Sequence, residues 1–401
     1  MLTAEGCRER KARLWSLLPK DCDWVLIGDL RHVQYFSGFR VNPISFSADQ
    51  KSLLLLTRDD KSILLADNFT RRCAVAEYFV DREAIIQWYT HKKSVSNRDD
   101  SLCEALNEVR NVWSTGSGLI EPEGISEMVA ACVAEHAEWQ FALDDCDENV
   151  MQHGGLSSPT TLGTVIRGLR RTKHSDEIEL LKRCMRACEA GHRRAFEVVR
   201  PGATELEVYL EVQKAAQSEA GMPCIVYGDF RATNADLPKA GGQPTTRRLQ
   251  DGDLFILDYS VVIAGYRSDF TNTIAAGTPT ADQTRQFEAC IESLDVASVW
   301  LKHGFPCYGI HEAASNVLQR RGFGPLAHHA GHGLGLEHPE RPVLVSDSAD
   351  ILQSGDVITL EPGCYVPGVG GMRFEHNYLI TEEGAIQLSQ HTLSLVPPAG
   401  Q

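Results

Sequence analysis

Residues 254–262, Leu254-Phe255-Ile256-Leu257-Asp258-Tyr259-Ser260-Val261-Val262, form an apolar, β-prone run interrupted by one carboxylate. An Asp inside such a strand is expensive to bury without a partner. The chain turns at Ile263-Ala264-Gly265 and returns as Tyr266-Arg267-Ser268-Asp269-Phe270-Thr271-Asn272-Thr273-Ile274. A hairpin folded there is expected to set Asp269 opposite Asp258 on one face, with Cβ atoms about 5 Å apart, an arrangement that destabilises a sheet when both are charged. A divalent cation between them removes the conflict, since two-metal hydrolases hold their ions roughly 3.5–4 Å apart, a span that a carboxylate pair bridges.

A second segment repeats the device. Thr359-Leu360-Glu361 runs into Pro362-Gly363, and the chain passes Pro367-Gly368-Val369-Gly370-Gly371 before Met372-Arg373-Phe374-Glu375. Folding at Gly368 is expected to put Glu361 across from Glu375. Between the two hairpins lies Ala327-His328-His329-Ala330-Gly331-His332-Gly333-Leu334-Gly335-Leu336-Glu337-His338-Pro339-Glu340. A zincin needs Glu directly after its first His, and a dinucleotide loop needs G-x-G-x-x-G after a strand; this stretch has neither. Its glycines are expected to let backbone pass close to bound ions, with His332 as the imidazole ligand. Asp258, Asp269, His332, Glu361 and Glu375 thus form a candidate ligand set of four carboxylates and one imidazole. Such a set suits two divalent ions of manganese, cobalt, iron or zinc, without choosing among them.

These residues resemble the pita-bread metallopeptidases: methionine aminopeptidase, aminopeptidase P, prolidase and the metal-free relative creatinase. The resemblance rests on Asp258 and Asp269 eleven residues apart, Gly331-His332-Gly333, Glu361-Pro362-Gly363 and Arg373-Phe374-Glu375, all in the family's order. Cys22-Asp23-Trp24-Val25-Leu26-Ile27-Gly28-Asp29-Leu30 and Tyr35-Phe36-Ser37-Gly38-Phe39 resemble the aminopeptidase P, prolidase and creatinase branch. The resemblance implies a creatinase-like α/β N-terminal domain, residues 1–168, and an α+β pita-bread catalytic domain with a curved antiparallel sheet, residues 169–401. It also implies a homodimer.

Three positions depart from the family pattern. Leu237-Pro238 is followed by Lys239 where the family carries His, so a substrate-side imidazole is replaced by an ammonium. His338 lies six residues beyond His332, where the family's second His lies seven beyond. Asn272 stands where many relatives carry Arg, which implies a different charge beside the substrate.

At 401 residues the chain is long enough for two domains with real cores. Its net charge of −15, with no long basic cluster, argues against nucleic acid or an anionic membrane as partner and favours a small peptide substrate. A charged N-terminus without an apolar core segment, and no run of 18 apolar residues, point to a soluble, cytoplasmic protein. Twelve cysteines without a C-x-x-C pair exclude a recognisable disulfide framework or thiolate zinc site. Cys184 and Cys188 are expected to be small buried residues.

Strands are expected at 25–27, 52–57 and 62–66, and an amphipathic helix around Leu102–Val109. Further helices are expected from Ser175 toward Val199, after Thr204, from Ala281 to Lys302 and from Gly309 to Arg320. The favoured function is a dinuclear metal-dependent peptidase, an Xaa-Pro aminopeptidase or dipeptidase, using water that bridges the ions. Glu361 would relay the proton to the leaving amine, His328 and His338 would stabilise the oxyanion, and Arg373 would orient a ligand carboxylate through a bidentate pair. His329 is expected to be structural. The alternatives are a lyase or small-molecule hydrolase on the same scaffold, and a non-catalytic binding module.

Overall fold

The computed structural model describes residues 1–41, 52–67, 74–86, 117–120 and 162–398. The chain divides into two compact units, Met1–Arg170 and Arg171–Gln401.

The first unit contains α1 (Ala4–Leu17), β1 (Cys22–Ile27), α2 (Leu30–Ser37), β2 (Ser52–Thr57), β3 (Ser62–Asp67), β4 (Arg82–Ile86), β5 (Ser117–Ile120) and most of α3 (Leu162–Arg171). Its sheet runs β4-β3-β2-β1-β5. The outer pairs β3–β4 and β1–β5 are parallel and the inner ones antiparallel. Val25, Leu26, Ile27 and Leu54 to Leu56 are fully buried, the pattern of strands covered on both faces. The three strands expected from sequence are β1, β2 and β3, and the helix expected around Leu102–Val109 lies outside the described residues.

The second unit begins with a helical layer. α4 (Ser175–Val198) starts at Ser175 as expected and is capped by His174: the ring Nδ1 accepts the Asp176 N–H, and Glu177 accepts the His174 N–H at 2.9 Å. α5 (Glu205–Ala220) opens on a Thr204–Glu207 capping box and ends at left-handed Gly221. α4 lies on the strand quoted first, β7 (Leu254–Ile263). The Cys184 and Cys188 thiols donate to the carbonyls of Tyr266 and Tyr259, and both cysteines are buried. A Cβ at Gly191 would stand 2.1 Å from the Tyr259 hydroxyl, so only glycine lets helix and strand approach this closely.

β7 is flanked by β6 (Ile225–Thr233) and by the returning strands β8 (Tyr266–Arg267) and β9 (Phe270–Ala275), all antiparallel. α6 (Ala281–Ser298) and α7 (Cys307–Arg320) follow. α6 stops four residues before the expected end because the chain tightens at Trp300, whose N–H returns to Ala297, and the Trp300 ring stacks on Phe305 at 5.0 Å. A second sheet has the order β11-β10-β12-β15-β16, from β10 (Gly331–Gly333), β11 (Glu340–Leu344), β12 (Val357–Leu360), β15 (His376–Ile380) and β16 (Ala385–Gln387). A two-stranded ribbon of β13 (Gly363–Val366) and β14 (Gly370–Arg373) leaves it. Thr273 joins β14 to β9, its hydroxyl donating to the Arg373 carbonyl at 3.0 Å and accepting the Arg373 N–H at 3.1 Å.

Strand alternation separates core from site. Met372 and Phe374 are fully buried in the cluster with Leu294, Ile310 and Leu360, and Phe374 meets Phe287 edge-on at 5.0 Å. Arg373 and Glu375, one residue out of phase, therefore face the other way. Each such buried Leu or Phe contributes about 1.5–3 kcal/mol, so the apolar phase of β14 fixes where its charged residues point.

Candidate metal centre

Two ladders deliver the four carboxylates. The first hairpin turns on Ala264 and Gly265 alone, both at positive φ (47° and 83°), which pairs Ile263 with Tyr266 and Asp258 with Thr271. Asp269 accordingly lies across from Ser260, whose hydroxyl is 3.2 Å from Asp269 Oδ1. The expected direct opposition of Asp258 and Asp269 is therefore incorrect: a two-residue turn displaces the register, and the two carboxylates are diagonal neighbours on one face. The acid directly opposite Asp258 is Asp229 of β6.

The second ladder keeps the expected register. β12 pairs with β15 so that Leu360 faces His376, and β13 pairs with β14 so that Gly363 faces Arg373. Glu361 and Glu375 oppose each other in the break between the two pairings. Thr271 links the ladders, its hydroxyl donating to Glu375 Oε2 at 2.7 Å and its carbonyl accepting the Glu375 N–H at 3.1 Å.

His332 enters from β10. Its Nδ1 lies 2.9 Å from the Gly333 carbonyl, which makes Nδ1 the donor and leaves the Nε2 lone pair 3.5 Å from Glu361 Oε1 and 3.6 Å from Asp269 Oδ2. The Thr359 hydroxyl accepts the His332 N–H at 3.1 Å and donates to Glu361 Oε1 at 3.0 Å, aligning both side chains. The neighbouring glycines serve strand packing. A Cβ at Gly331 would sit 2.1 Å from the Thr359 carbonyl oxygen, and one at Gly333 2.2 Å from that of Arg341.

Arg373 joins several groups instead of forking onto one. Its Nη2 donates to Asp258 and approaches Asp229 at 3.4 Å, while Nη1 donates to the Tyr365 hydroxyl at 2.8 Å. The expected bidentate pair is absent because Nε is buried without a hydrogen-bond partner, 4.0 Å from Glu361.

The three other imidazoles divide by geometry. His338 places Nε2 2.7 Å from Asp269 Oδ2 at the open rim of the site. His328 turns Nδ1 to the His329 carbonyl at 2.7 Å and Nε2 to the Tyr365 hydroxyl at 3.3 Å. Burial, with the Arg373 charge, lowers its pKa to about 4, so near neutral pH Nε2 is an acceptor and has no proton for an oxyanion. In this geometry His328 is positioned to orient Tyr365. His329, expected to be structural, is the ring beside Glu361, with Nδ1 3.4 Å from Oε1. Asn272 faces away from the substrate side: fully buried, its amide donates to the carbonyls of Thr392 and Ser394. Lys239 is exposed, with Nζ 5.3 Å from the centre of the Tyr365 ring.

Electrostatics decides whether this set fits cations. Burial pushes Glu375 well above the carboxylate range, and Glu361, Asp269 and Asp258 push it further. Burial does the same to Glu361 against the opposing pull of Arg373, and Asp258 is raised for the same reasons. Asp269 differs: burial raises it, but the His338 hydrogen bond and the charges of His338, His332 and Arg267 outweigh that and hold it low. Glu375 Oε1 is buried with no hydrogen-bond partner. Crowded, raised carboxylates with an orphaned oxygen and an imidazole lone pair are a donor set that hard divalent cations satisfy. The donor atoms of Asp269, His332 and His338 lie within 4.8 Å of one another, as do those of His328, His329 and Glu361.

Comparison with known proteins shows the family. The model of metallopeptidase family M24 matches residues 179–382, half of the chain, and the protein belongs to that family. It is therefore a peptidase with the pita-bread fold of the prolidase and aminopeptidase P branch. It is 31% identical over 249 residues to the Xaa-Pro dipeptidase of Pyrococcus furiosus, covering 61% of this chain and 70% of that one. Its fold is similar to the Xaa-Pro dipeptidase of Bacillus anthracis, with a TM-score of 0.72 at 21% identity, covering 97% and 99% of the two chains. It is also similar to the X-Pro aminopeptidase of Thermotoga maritima, with a TM-score of 0.71 at 19% identity over 99% of both.

Sequence reasoning did not single out Asp229 or Tyr365. Tyr365 had a signal, since Glu361, Gly363 and Tyr365 share one strand phase. Asp229 had none, because β6 mixes Gly228, Asp229 and Arg231 and shows no apolar alternation.

Proposed function

We propose that the protein is a two-metal peptidase that cleaves the bond ahead of proline, as an Xaa-Pro dipeptidase or aminopeptidase. The observation that carries this reading is the crowding of Asp258, Asp269, Glu361 and Glu375 from two ladders, with the Nε2 of His332 3.5 Å from Glu361 and 3.6 Å from Asp269. The named Xaa-Pro relatives support the substrate class. A lyase or small-molecule hydrolase is not favoured, since no feature of the site calls for one.

Asp258, Asp269, His332, Glu361 and Glu375 would hold the two ions, with manganese the first to test and cobalt, iron and zinc sharing the same donor chemistry. Bound divalent cations supply Lewis acidity toward the scissile carbonyl and acidify a water. Glu361 would take a proton at its carboxylate and return it to the leaving amine, a task for which burial keeps its proton affinity high. His338 would offer an N–H to the developing oxyanion from the rim. Arg373, Tyr365 and His328 form a continuous chain that fixes Asp258 on the far side of the site. A homodimer in the cytoplasm completes the reading. Among the described residues no helix is long and apolar enough to cross a membrane.

Protein reconstituted with Mn²⁺ or Co²⁺ and desalted should retain two ions per chain and hydrolyse Xaa-Pro dipeptides or Xaa-Pro-Yaa tripeptides. Metal-loaded protein inert on both peptide series overturns the substrate class, and failure to retain metal overturns the centre. Light scattering during gel filtration reads the dimer independently.

A further inference from the structure

We infer that the buried Lys173–Glu340 ion pair is a positioning device that aims His338 at Asp269; this rests on the proposed role of His338 in peptide hydrolysis. Glu340 follows His338 by two residues, and its carboxylate closes the loop that carries the ring. Oε1 accepts the N–H groups of both Leu336 and Glu337 at 2.9 Å. Oε2 accepts Lys173 Nζ at 2.9 Å, with the side chains 2% and 6% exposed. His338 stands at the apex of the span so tied, its Nε2 2.7 Å from Asp269 Oδ2 and its ring perpendicular to that of His332 at 4.7 Å.

The loop is built around this carboxylate. A Cβ at Gly335 would lie 2.9 Å from each Glu340 oxygen, so a side chain there would push the carboxylate off its hydrogen bonds. Lys173 is itself anchored: its N–H donates to the Gly355 carbonyl at 3.0 Å, and the preceding Arg171 is fixed by Asp356. A buried ion pair is a poor way to gain stability, because desolvation offsets the attraction, whereas it is an effective way to select one geometry. The charge is spent on a five-residue loop with one functional side chain. The side-chain hydrogen bonds described for Glu340 and Lys173 run to the loop backbone and to each other, and the route from them to the ligand set passes through His338.

The test is a double-mutant cycle on metal-saturated enzyme with an Xaa-Pro dipeptide, using Glu340→Gln, His338→Ala and the double variant, with Lys173→Met and Gly335→Ala as second perturbations of the clamp. Glu340→Gln should lower kcat by about tenfold or more while KM moves less than about threefold, the signature of a lost transition-state contact. The double variant should match His338→Ala within about twofold, because the second change has nothing left to disturb. In parallel, ¹⁵N-histidine spectra of the metal-free protein at neutral pH, with the ring assigned by its absence in His338→Ala, should show the His338 signals shifted or broadened by Glu340→Gln, Lys173→Met and Gly335→Ala. This second readout needs no turnover, so a protein inactive on proline peptides with a responsive His338 ring would sink the substrate reading and leave the positioning role standing. Multiplicative losses in the cycle, or folded clamp variants with an unmoved His338 ring, overturn the inference. If Glu340→Gln does not fold, Lys173→Met and Gly335→Ala read the same ring.

Discussion

Glu375 holds one carboxylate oxygen against the Thr271 hydroxyl and buries the other beside Glu361, Asp269 and Asp258 without a partner. In metal-free protein that crowding is a cost, and in metal-loaded protein it becomes the binding energy. Glu375→Gln should therefore raise the stability of protein kept in EDTA by on the order of 1 kcal/mol, since the folded parent must hold a proton on this carboxyl that the unfolded chain gives up near neutral pH, and the amide needs none. The same variant should lose the metal-induced stabilisation of the parent, which is about 2.7 kcal/mol at a hundredfold excess of ligand over its Kd. Urea unfolding with EDTA and with Mn²⁺ gives both numbers, and a variant that is destabilised in EDTA but still stabilised by Mn²⁺ would remove Glu375 from the ligand set. Lys239 poses a smaller question at the rim. Its ammonium over the Tyr365 ring should favour substrates with an acidic group by a few fold at most, because an exposed ion pair contributes only about 0.2–1 kcal/mol. Comparing Lys239→His with the parent on acidic and neutral peptides measures it, and identical specificity profiles would make Lys239 a solvated surface residue.

The elements show why some of this was legible and some was not. The apolar run with one Asp, the glycine-flanked His332 and the glycine break at 367–371 announced two hairpins and a ligand set, because strand period and turn chemistry are local properties. The second register came out as expected: Glu361 faces Glu375. The first did not: opposing Asp258 and Asp269 requires a turn centred between Ile263 and Ala264, whereas it centres between Ala264 and Gly265, which makes Thr271 the partner of Asp258. That centring rests on positive φ at Ala264, which a residue with a Cβ rarely adopts and local sequence does not signal. The direction of Arg373 and the tautomer of His328 depend on side chains from distant segments and were out of reach altogether. Element packing carries its own prediction at Gly331, where an added methyl meets the Thr359 carbonyl at 2.1 Å. Backbone cannot yield there without moving the hydroxyl that aligns His332 and Glu361. Gly331→Ala should cost about 1–3 kcal/mol, as overpacking does, and should weaken metal affinity as well. Retention of the parent's Mn²⁺ affinity in a folded Gly331→Ala protein would show that the strand contact and the site are not coupled.

At the scale of the whole molecule, acid stability should be governed in part by a stack of imidazoles behind the first ladder. His192 lies against Tyr259 and Phe270, with ring centres 5.1 and 5.0 Å away, and His391 lies 4.8 Å from it and 4.2 Å from Phe270. The His192 Nε2 faces the Phe270 carbonyl at 3.2 Å, so Nε2 carries the proton, and Nδ1 is buried with no partner. Protonation would place an N–H⁺ where no acceptor exists. Burial accordingly lowers the pKa of His192 to about 3, against a rise from the Phe270 carbonyl and a further drop from His376. A folded-state pKa below the unfolded value of 6.5 gives stability that is fully present above pH 6.5. It is lost as the pH falls toward 3, because the unfolded chain binds a proton that the folded chain refuses. One such group contributes a slope of about 1.4 kcal/mol per pH unit. His192→Phe keeps the stack and removes the titration. It should cost about 1 kcal/mol near pH 8, where the hydrogen bond to Phe270 is lost, and then converge on the parent and cross it as the pH falls below about 6. Urea midpoints for both proteins between pH 5 and pH 8 in EDTA read this residue with the imidazoles coupled to it, since the titration of the raised carboxylates is common to the pair. Parallel curves would mean that the His192 ring takes its proton in the folded state after all, either by admitting water to Nδ1 or by turning toward His391.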